Sequence, residues 1–186
     1  MTAKPTGPPE VEIIEAGEER LDDIELLWRD MHDYHAEVVD EARNVAPFRP
    51  SEDSWQRRRV EFENWMRAEE GRLLIAERDA SPVGFAFFRV CEGDLSFETD
   101  ERIGELEALS VDPELRRWGV GSLLMEGVEQ RLAVAGIEFI GLAVMSGNAD
   151  ALRFYERWGI VPSQVRCLGR ILPQARDQPS PGRSIA

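Results

Sequence analysis

Cysteine is scarce in this chain of 186 residues: Cys91 and Cys167 stand far apart, with no C-x-x-C spacing. That excludes a disulfide-stapled scaffold and a thiolate metal site, and two separate buried thiols are the expectation. Histidine is as scarce. His32 and His35 both fall in one early helical stretch, so a thiol nucleophile lacks the imidazole partner it needs. Long apolar runs are missing as well. GFAFF and FIGLAVM are far too short to span a bilayer. MTAKPTGPPEVE carries no apolar run after its lysine, unlike a secretory signal. A cytoplasmic protein with no membrane partner is expected. Basic charge is in deficit: 22 Lys and Arg against 36 Asp and Glu give a formal net charge of −14. Nucleic acid and anionic lipid are poor partners for such a surface. A cationic small molecule suits it, and so does the plain role of keeping the chain soluble.

What is present is an ordinary globular composition, 42% apolar and 31% charged, at a length that fits one domain with a real core. Residues 1–10, rich in Pro, Gly and Thr, read as a flexible N-terminus, 11–172 as the domain and 173–186 as a flexible tail. VEIIEA, from Val11 to Ala16, reads as a strand. From Glu18 to Asp40, apolar positions Leu21, Ile24, Trp28, Met31 and Val38, with His35, repeat at helical spacing and predict one long helix. Ser51 is the expected N-cap of a second helix over Trp55 to Glu69, ended by Gly71. RLLIAERDA and PVGFAFFRVCEG read as strands joined by a turn near Ser81 and Pro82, and GELEALSV as a third. A helix from Val120 to Ala135 follows, then the strand IEFIGLAVM and a helix capped by Asn148 and closed by Gly159. A last strand is expected from Gln164 to Leu172. Antiparallel strands first and strand–helix–strand units after predict an α/β sandwich: a mixed central sheet with helices on both faces.

The segment PELRRWGVGSLL, from Pro113 to Leu124, joins a predicted strand to a predicted helix. A helix start carries unpaired N–H groups and the positive end of the macrodipole, so it attracts anions. Gly119 and Gly121 let the backbone approach a phosphate, and Arg116 and Arg117 stand just before them. Other phosphate loops fit worse. GxxxxGK[ST] is absent, and Gly127 is misplaced as the third glycine of GxGxxG. A turn without any ligand is the competing reading of the loop taken alone.

The loop does not stand alone. Arg116-Arg117-Trp118-Gly119-Val120-Gly121 and, further on, Asn148 to Gly159 (NADALRFYERWG) together resemble two motifs of the Gcn5-related N-acetyltransferase superfamily. These are [RQ]-x-x-G-x-[GA] and N-x-x-A-x-x-[FL]-Y-x-x-x-G, in the same order. The resemblance spans about Val11 to Leu172, strongly from Gly104 to Gly159. It implies the GNAT-type sandwich and transfer of an acetyl group from acetyl-CoA to an amine, by direct transfer in a ternary complex. It also implies that Leu109, Ser110 and Val111 offer a backbone edge to the pantetheine arm. The pyrophosphate would lie on backbone from Arg117 through Trp118, Gly119, Val120 and Gly121 to Ser122. Asn148 would contact the pantetheine, besides capping a helix, and Tyr155 would protonate the departing thiolate rather than merely pack.

The reaction also needs a proton acceptor, because an aliphatic amine has a pKa of roughly 10 and arrives charged. GELEALSV resembles the YLEDFFV-type strand of diamine acetyltransferases, in which Glu107 takes the place of their glutamate. Glu107 is therefore the first candidate for base through water and Glu105 the second, against simple solvent exposure for either. The glutamate that ribosomal-protein N-terminal acetyltransferases carry in a W-L-E-V-like stretch is replaced by Ala143, which weighs against a protein N-terminus as acceptor. The resemblance places the acceptor pocket on the first two helices, where Trp28, Asp30, Tyr34 and Trp55 are candidates. His35, on the apolar stripe, reads as a packed core residue. No HExxH or comparable set is present, so no metal is expected. The expected acceptor is a small cationic amine, of polyamine or aminosugar type, and homodimers are common in the family. Acetylation of protein lysine or N-termini, and an acyl-CoA-binding module without turnover, are the alternatives.

Overall fold

A computed structural model describes residues 10–39, 42–93, 96–99 and 101–170. Five strands, β1 (Glu12–Ala16), β2 (Gly71–Arg78), β3 (Ser81–Glu92), β4 (Arg102–Val111) and β5 (Ile140–Leu142), form one sheet in that order. The first four pair antiparallel and β5 joins β4 in parallel, so the sheet is mixed as expected. The helices are α1 (Glu25–Val38), α2 (Ala42–Val45), α3 (Ser51–Arg67), α4 (Val120–Val134) and α5 (Ala149–Glu156).

Strand alternation splits the core in two. Leu73 and Ile75 of β2 with Phe85 and Phe87 of β3 pack against Trp28 of α1 and Trp55 and Phe62 of α3. Their neighbours Leu74, Ala76, Ala86 and Phe88 face the other way, onto Val120, Leu124, Met125 and Val128 of α4. This is why β2 and β3 read as unbroken apolar runs: both faces are covered. Phe62 and Phe87 stack face to face with ring centroids 3.7 Å apart, tying α3 to the middle of the sheet.

One irregularity matters for the site. Phe87 pairs with Ala108 and Phe88 with Leu106, so Glu107 is an extra residue bulged out of β4. Leu106 packs with α4, whereas Ala108, two residues on, packs with α1 and α3. Strict alternation would have put both on one face.

Several boundaries differ from expectation. The long first helix divides, because Glu18–Ile24 winds as a 3-10 turn before α1 begins; its expected end, Asp40, lies outside the described residues. Pro50, not Ser51, occupies the N-cap of α3. Gly71 opens β2 instead of closing α3, and a Cβ there would meet the Phe87 ring at 2.8 Å. The β2–β3 turn falls at Asp79 and Ala80, with φ of 51° and 59°, the two positive values a two-residue hairpin loop requires. β5 keeps only three residues of the predicted run. No strand forms over residues 164–170, where Val165 is 89% and Leu168 60% exposed. Positions 171–186, including Ile171 and Leu172, and 1–9 lie outside the described residues.

Candidate active site

β4 and β5 pair only from Gly104 to Leu106. Beyond that point Leu109, Ser110 and Val111 still pair with β3 but have no partner on the β5 side among the described residues. An unpaired strand edge offers alternating N–H and C=O groups to any extended ligand. The gap opens into a cleft of about 620 Å³ walled by this edge, by Met31, Tyr34 and His35 of α1, by the β4–α4 loop, and by α5 with Asn148. A larger hollow, about 880 Å³, lies elsewhere on the α4 face, over Phe88, Val90 and Leu132, and touches none of the sequence-predicted site residues.

The loop gets its shape from local bonds. The Asp112 side chain accepts from the Glu114 N–H at 2.8 Å, starting the turn Pro113–Leu115. Arg117 then takes φ of 66° and Gly119 φ of 90°, after which α4 begins at Val120. A Cβ on Gly119 would meet no atom within 4 Å, so glycine is needed there for backbone conformation and not for space. The Gly119 carbonyl accepts from Ser122 and Leu123. The N–H groups of Gly119, Val120 and Gly121 find no acceptor among the described residues, and the α4 dipole adds to their positive potential. Arg116 is already engaged: its Nε donates to the Val111 carbonyl at 3.3 Å and its guanidinium lies over the Tyr34 ring at 5.4 Å. It fixes α1 to the end of β4.

On the far wall, Asn148 is buried and caps α5, its side-chain oxygen accepting from the Ala151 N–H at 3.1 Å. Tyr155 lines the cleft one helical turn after Ala151. Burial pushes its phenol up to about 12, so it stays protonated across the physiological range. His35 also lines the cleft. Burial, and then the nearby charge of His32, hold its pKa below the ordinary value, so it is neutral near pH 7.

The two carboxylates stand deeper along β4, outside the cleft lining. Glu107 is clamped: Oε1 accepts from Arg89 Nε at 2.6 Å and Oε2 from Arg58 Nη1 at 3.3 Å. Arg89 in turn stacks on Trp65 at 4.9 Å. Glu105 has no ion pair or hydrogen bond to its side chain among the described residues, and Oε2 lies over Gly141 of β5, where a Cβ would come within 2.6 Å. Burial, and then the charge of Glu107, raise its pKa from the ordinary value, against the pull of Arg89.

The cleft therefore brings together Leu109, Ser110, Val111, Arg116, Arg117, Gly119, Gly121, Ser122, Asn148, Tyr155 and, from the acceptor candidates, Tyr34. Trp118 is not in its lining, and the Val120 side chain belongs to the core, leaving its N–H as the group that faces the loop. Trp28 and Trp55 are buried in the α1–α3 core at 5% and 2% exposure, and Asp30 is exposed outside the cleft. Ser110 donates its hydroxyl to the Leu27 carbonyl at 3.0 Å, which joins α1 to the strand edge. Sequence reasoning missed Met31 and His35, which share one helical face at i and i+4, and the arginines of α5. Among the described residues no group of three or more His, Cys, Asp and Glu could hold a metal, and no helix is long and apolar enough to cross a membrane.

A mixed sheet parted beside a glycine-started helix, with an uncharged phenol across the gap, defines an α/β sandwich built for an extended, phosphate-bearing ligand. Residues 28–160 match the model of the Acetyltransferase (GNAT) family, and the chain belongs to that family. It is similar to the mycothiol acetyltransferase of Brachybacterium faecium, 34% identical over 95 residues that make up 51% of this chain and 27% of that protein. A mycothiol acetyltransferase of Sanguibacter keddieii is 33% identical over 103 residues, 55% of this chain and 31% of its own length. The chain thus spans less than a third of these curated relatives. Among solved structures, a GCN5-related N-acetyltransferase from Ralstonia eutropha superposes with a TM-score of 0.69 at 18% identity, covering 86% of this chain and 98% of that one. The aminoglycoside N-acetyltransferase AAC(6')-Iy, solved with CoA, gives 0.64 at 17% identity, covering 91% and 99%. At these identities the structures speak for the fold.

Proposed function

We propose that the chain transfers the acetyl group of acetyl-CoA to a small cationic amine, with both substrates bound at once. The observation that carries this reading is the convergence on one cleft of the open edge Leu109–Val111, the free N–H groups of Gly119 to Gly121, and the protonated Tyr155. The pyrophosphate lies on the loop and the pantetheine runs back along β4, which brings the thioester toward the bulge at Glu107. The amine nitrogen attacks the thioester carbonyl, the N–C bond forms and the C–S bond breaks. Backbone N–H near Leu109 stabilises the oxyanion.

Tyr155 donates to the sulfur as charge builds there. A thiol of pKa about 8.5 is a stronger acid than this phenol, so the tyrosine's share is a hydrogen bond that tightens with developing charge. Of the two β4 carboxylates, Glu105 is the better base in our reading, because both oxygens of Glu107 are already taken by arginines. Its raised pKa moves its basicity toward neutrality, where a base is most effective. The ammonium gives one proton through water to Glu105 before it attacks, and the second, shed as the amide forms, passes to the departing thiolate. The acceptor's cationic character is supported by the net charge of −14 and by the two carboxylates beside the bulge.

Thiol release from acetyl-CoA, measured against polyamines, aminoglycosides, amino acids and lysine peptides, tests the proposal. Turnover with one amine class, cut by Tyr155→Phe, is the expected result. Tight cofactor binding without turnover across the panel would leave a binding module in its place.

A further inference from the structure

We propose that Arg153 of α5 and Arg157, the residue that ends it, form a second anion site in the cleft, separate from the loop N–H groups, for the phosphomonoester on the ribose of coenzyme A. The inference rests on the acetyl-CoA reading above and adds a part of the ligand that the motifs do not address.

Position is the first support. Both arginines line the same cleft as the loop. They are held there by a chain of contacts: the Phe154 ring lies 3.6 Å from where a Gly121 Cβ would stand, and the Arg157 guanidinium lies over that ring at 5.4 Å. The cations of α5 are thereby fixed beside the first turn of α4.

Charge is the second. The lining carries Arg116, Arg117, Arg153 and Arg157 against a single carboxylate, Asp150, in a chain whose net charge is −14. Such a local reversal concentrates a polyanion in the cleft.

Vacant bonding capacity is the third. Arg116 is committed to Val111 and Tyr34, and Arg153 is paired with Asp150. Arg157 has one tether, from Nη1 to the Arg153 carbonyl at 3.1 Å, and no carboxylate partner among the described residues. The remaining face of its planar fork matches a phosphate dianion. In the reading above the pyrophosphate lies on the loop N–H groups, which leaves these arginines to another anion. Coenzyme A carries one further phosphate, attached to the ribose.

Calorimetric titration of CoA and of dephospho-CoA, which lacks only that phosphate, decides the matter. The unaltered protein should bind CoA about tenfold or more tighter, the value of one charge-assisted contact. Arg153→Gln with Arg157→Gln should bring CoA down to the dephospho-CoA level while leaving dephospho-CoA unchanged, and Arg157→Lys should recover part of the difference. Equal binding of both compounds by the unaltered protein overturns the inference and leaves the transferase reading intact. Equal losses for both compounds in the variant also overturn it, since they would reveal arginines that merely support α5. Binding of neither compound would bring down the acetyl-CoA reading and this inference with it.

Discussion

The proposed site has two halves made of different materials. The cofactor half consists of backbone: the unpaired edge of β4 and the first turn of α4, contributed by one continuous stretch, Leu109 to Ser122. The half toward the bulge consists of side chains gathered from afar. Arg58 reaches Glu107 across 49 positions and Arg89 reaches it across 18. Backbone sites tolerate change in most side chains but not in conformation, whereas side-chain sites depend on the chemistry of each residue. Substitutions should expose that contrast.

The largest effect is expected at Glu105. Glu105→Gln should lower kcat/KM by roughly 10²- to 10⁴-fold, the usual worth of a positioned base, and remove the acid limb of the pH–rate profile. Glu107→Gln should retain far more activity and shift that limb to lower pH, because the negative charge that raises the Glu105 pKa is gone. An unshifted limb, with activity lost in Glu107→Gln alone, would reverse the assignment. Thermal unfolding gives a second readout with a definite sign. A carboxyl whose pKa is raised on folding opposes the fold once it ionises, so Glu105 costs stability as pH rises through its folded pKa. Glu105→Gln should therefore melt higher than the unaltered protein at neutral pH and converge with it at acid pH.

Next comes Tyr155→Phe, for which a loss of about 10²-fold in kcat is expected with acetyl-CoA affinity held within about a factor of two. A change in affinity of the same size as the loss in rate would return Tyr155 to a packing role. In the backbone half, Gly119→Ala should cost about 1–2 kcal/mol in chemical denaturation, since alanine must adopt φ of 90°. Gly121→Ala meets only ordinary contacts, the nearest at 3.6 Å, and should be close to neutral. The smallest effect lies outside the cleft. Ala80→Gly relieves a left-handed alanine in the β2–β3 turn and should add about 0.5–1 kcal/mol of stability.

The same contrast explains what could be read from the chain without coordinates. The cofactor half was legible because its residues are neighbours in sequence: the glycine spacing at Gly119 and Gly121 and the cap at Asn148 are local signals with local causes. The mixed character of the sheet followed from the same kind of signal, in the apolar runs and the helices between them. The other half was not legible. Alternation places Glu105 and Glu107 on one face, but nothing local announces that two arginines converge on one carboxylate and spare the other. Trp28 and Trp55 looked like pocket residues because large aromatics at helix surfaces serve either purpose, and packing against Phe62 decided for the core. The strand expected at Gln164 to Leu172 rested on residue preference alone, and residues 164–170 remain without a sheet partner.

The bulge at Glu107 also sets how the gene encoding this chain can drift. Because Glu107 is an extra residue, every position after it on β4 has exchanged faces relative to every position before it. Deleting that one codon would set Leu106 directly beside Ala108 in regular alternation, leaving Ala108 and Ser110 on the α1–α3 side and the same amides toward the gap. Point changes on this strand are graded in their consequences, whereas a residue lost or gained anywhere but at the bulge turns the positions beyond it to the other face. Glu107 is therefore the one position on β4 where a change of length leaves the rest of the strand in place.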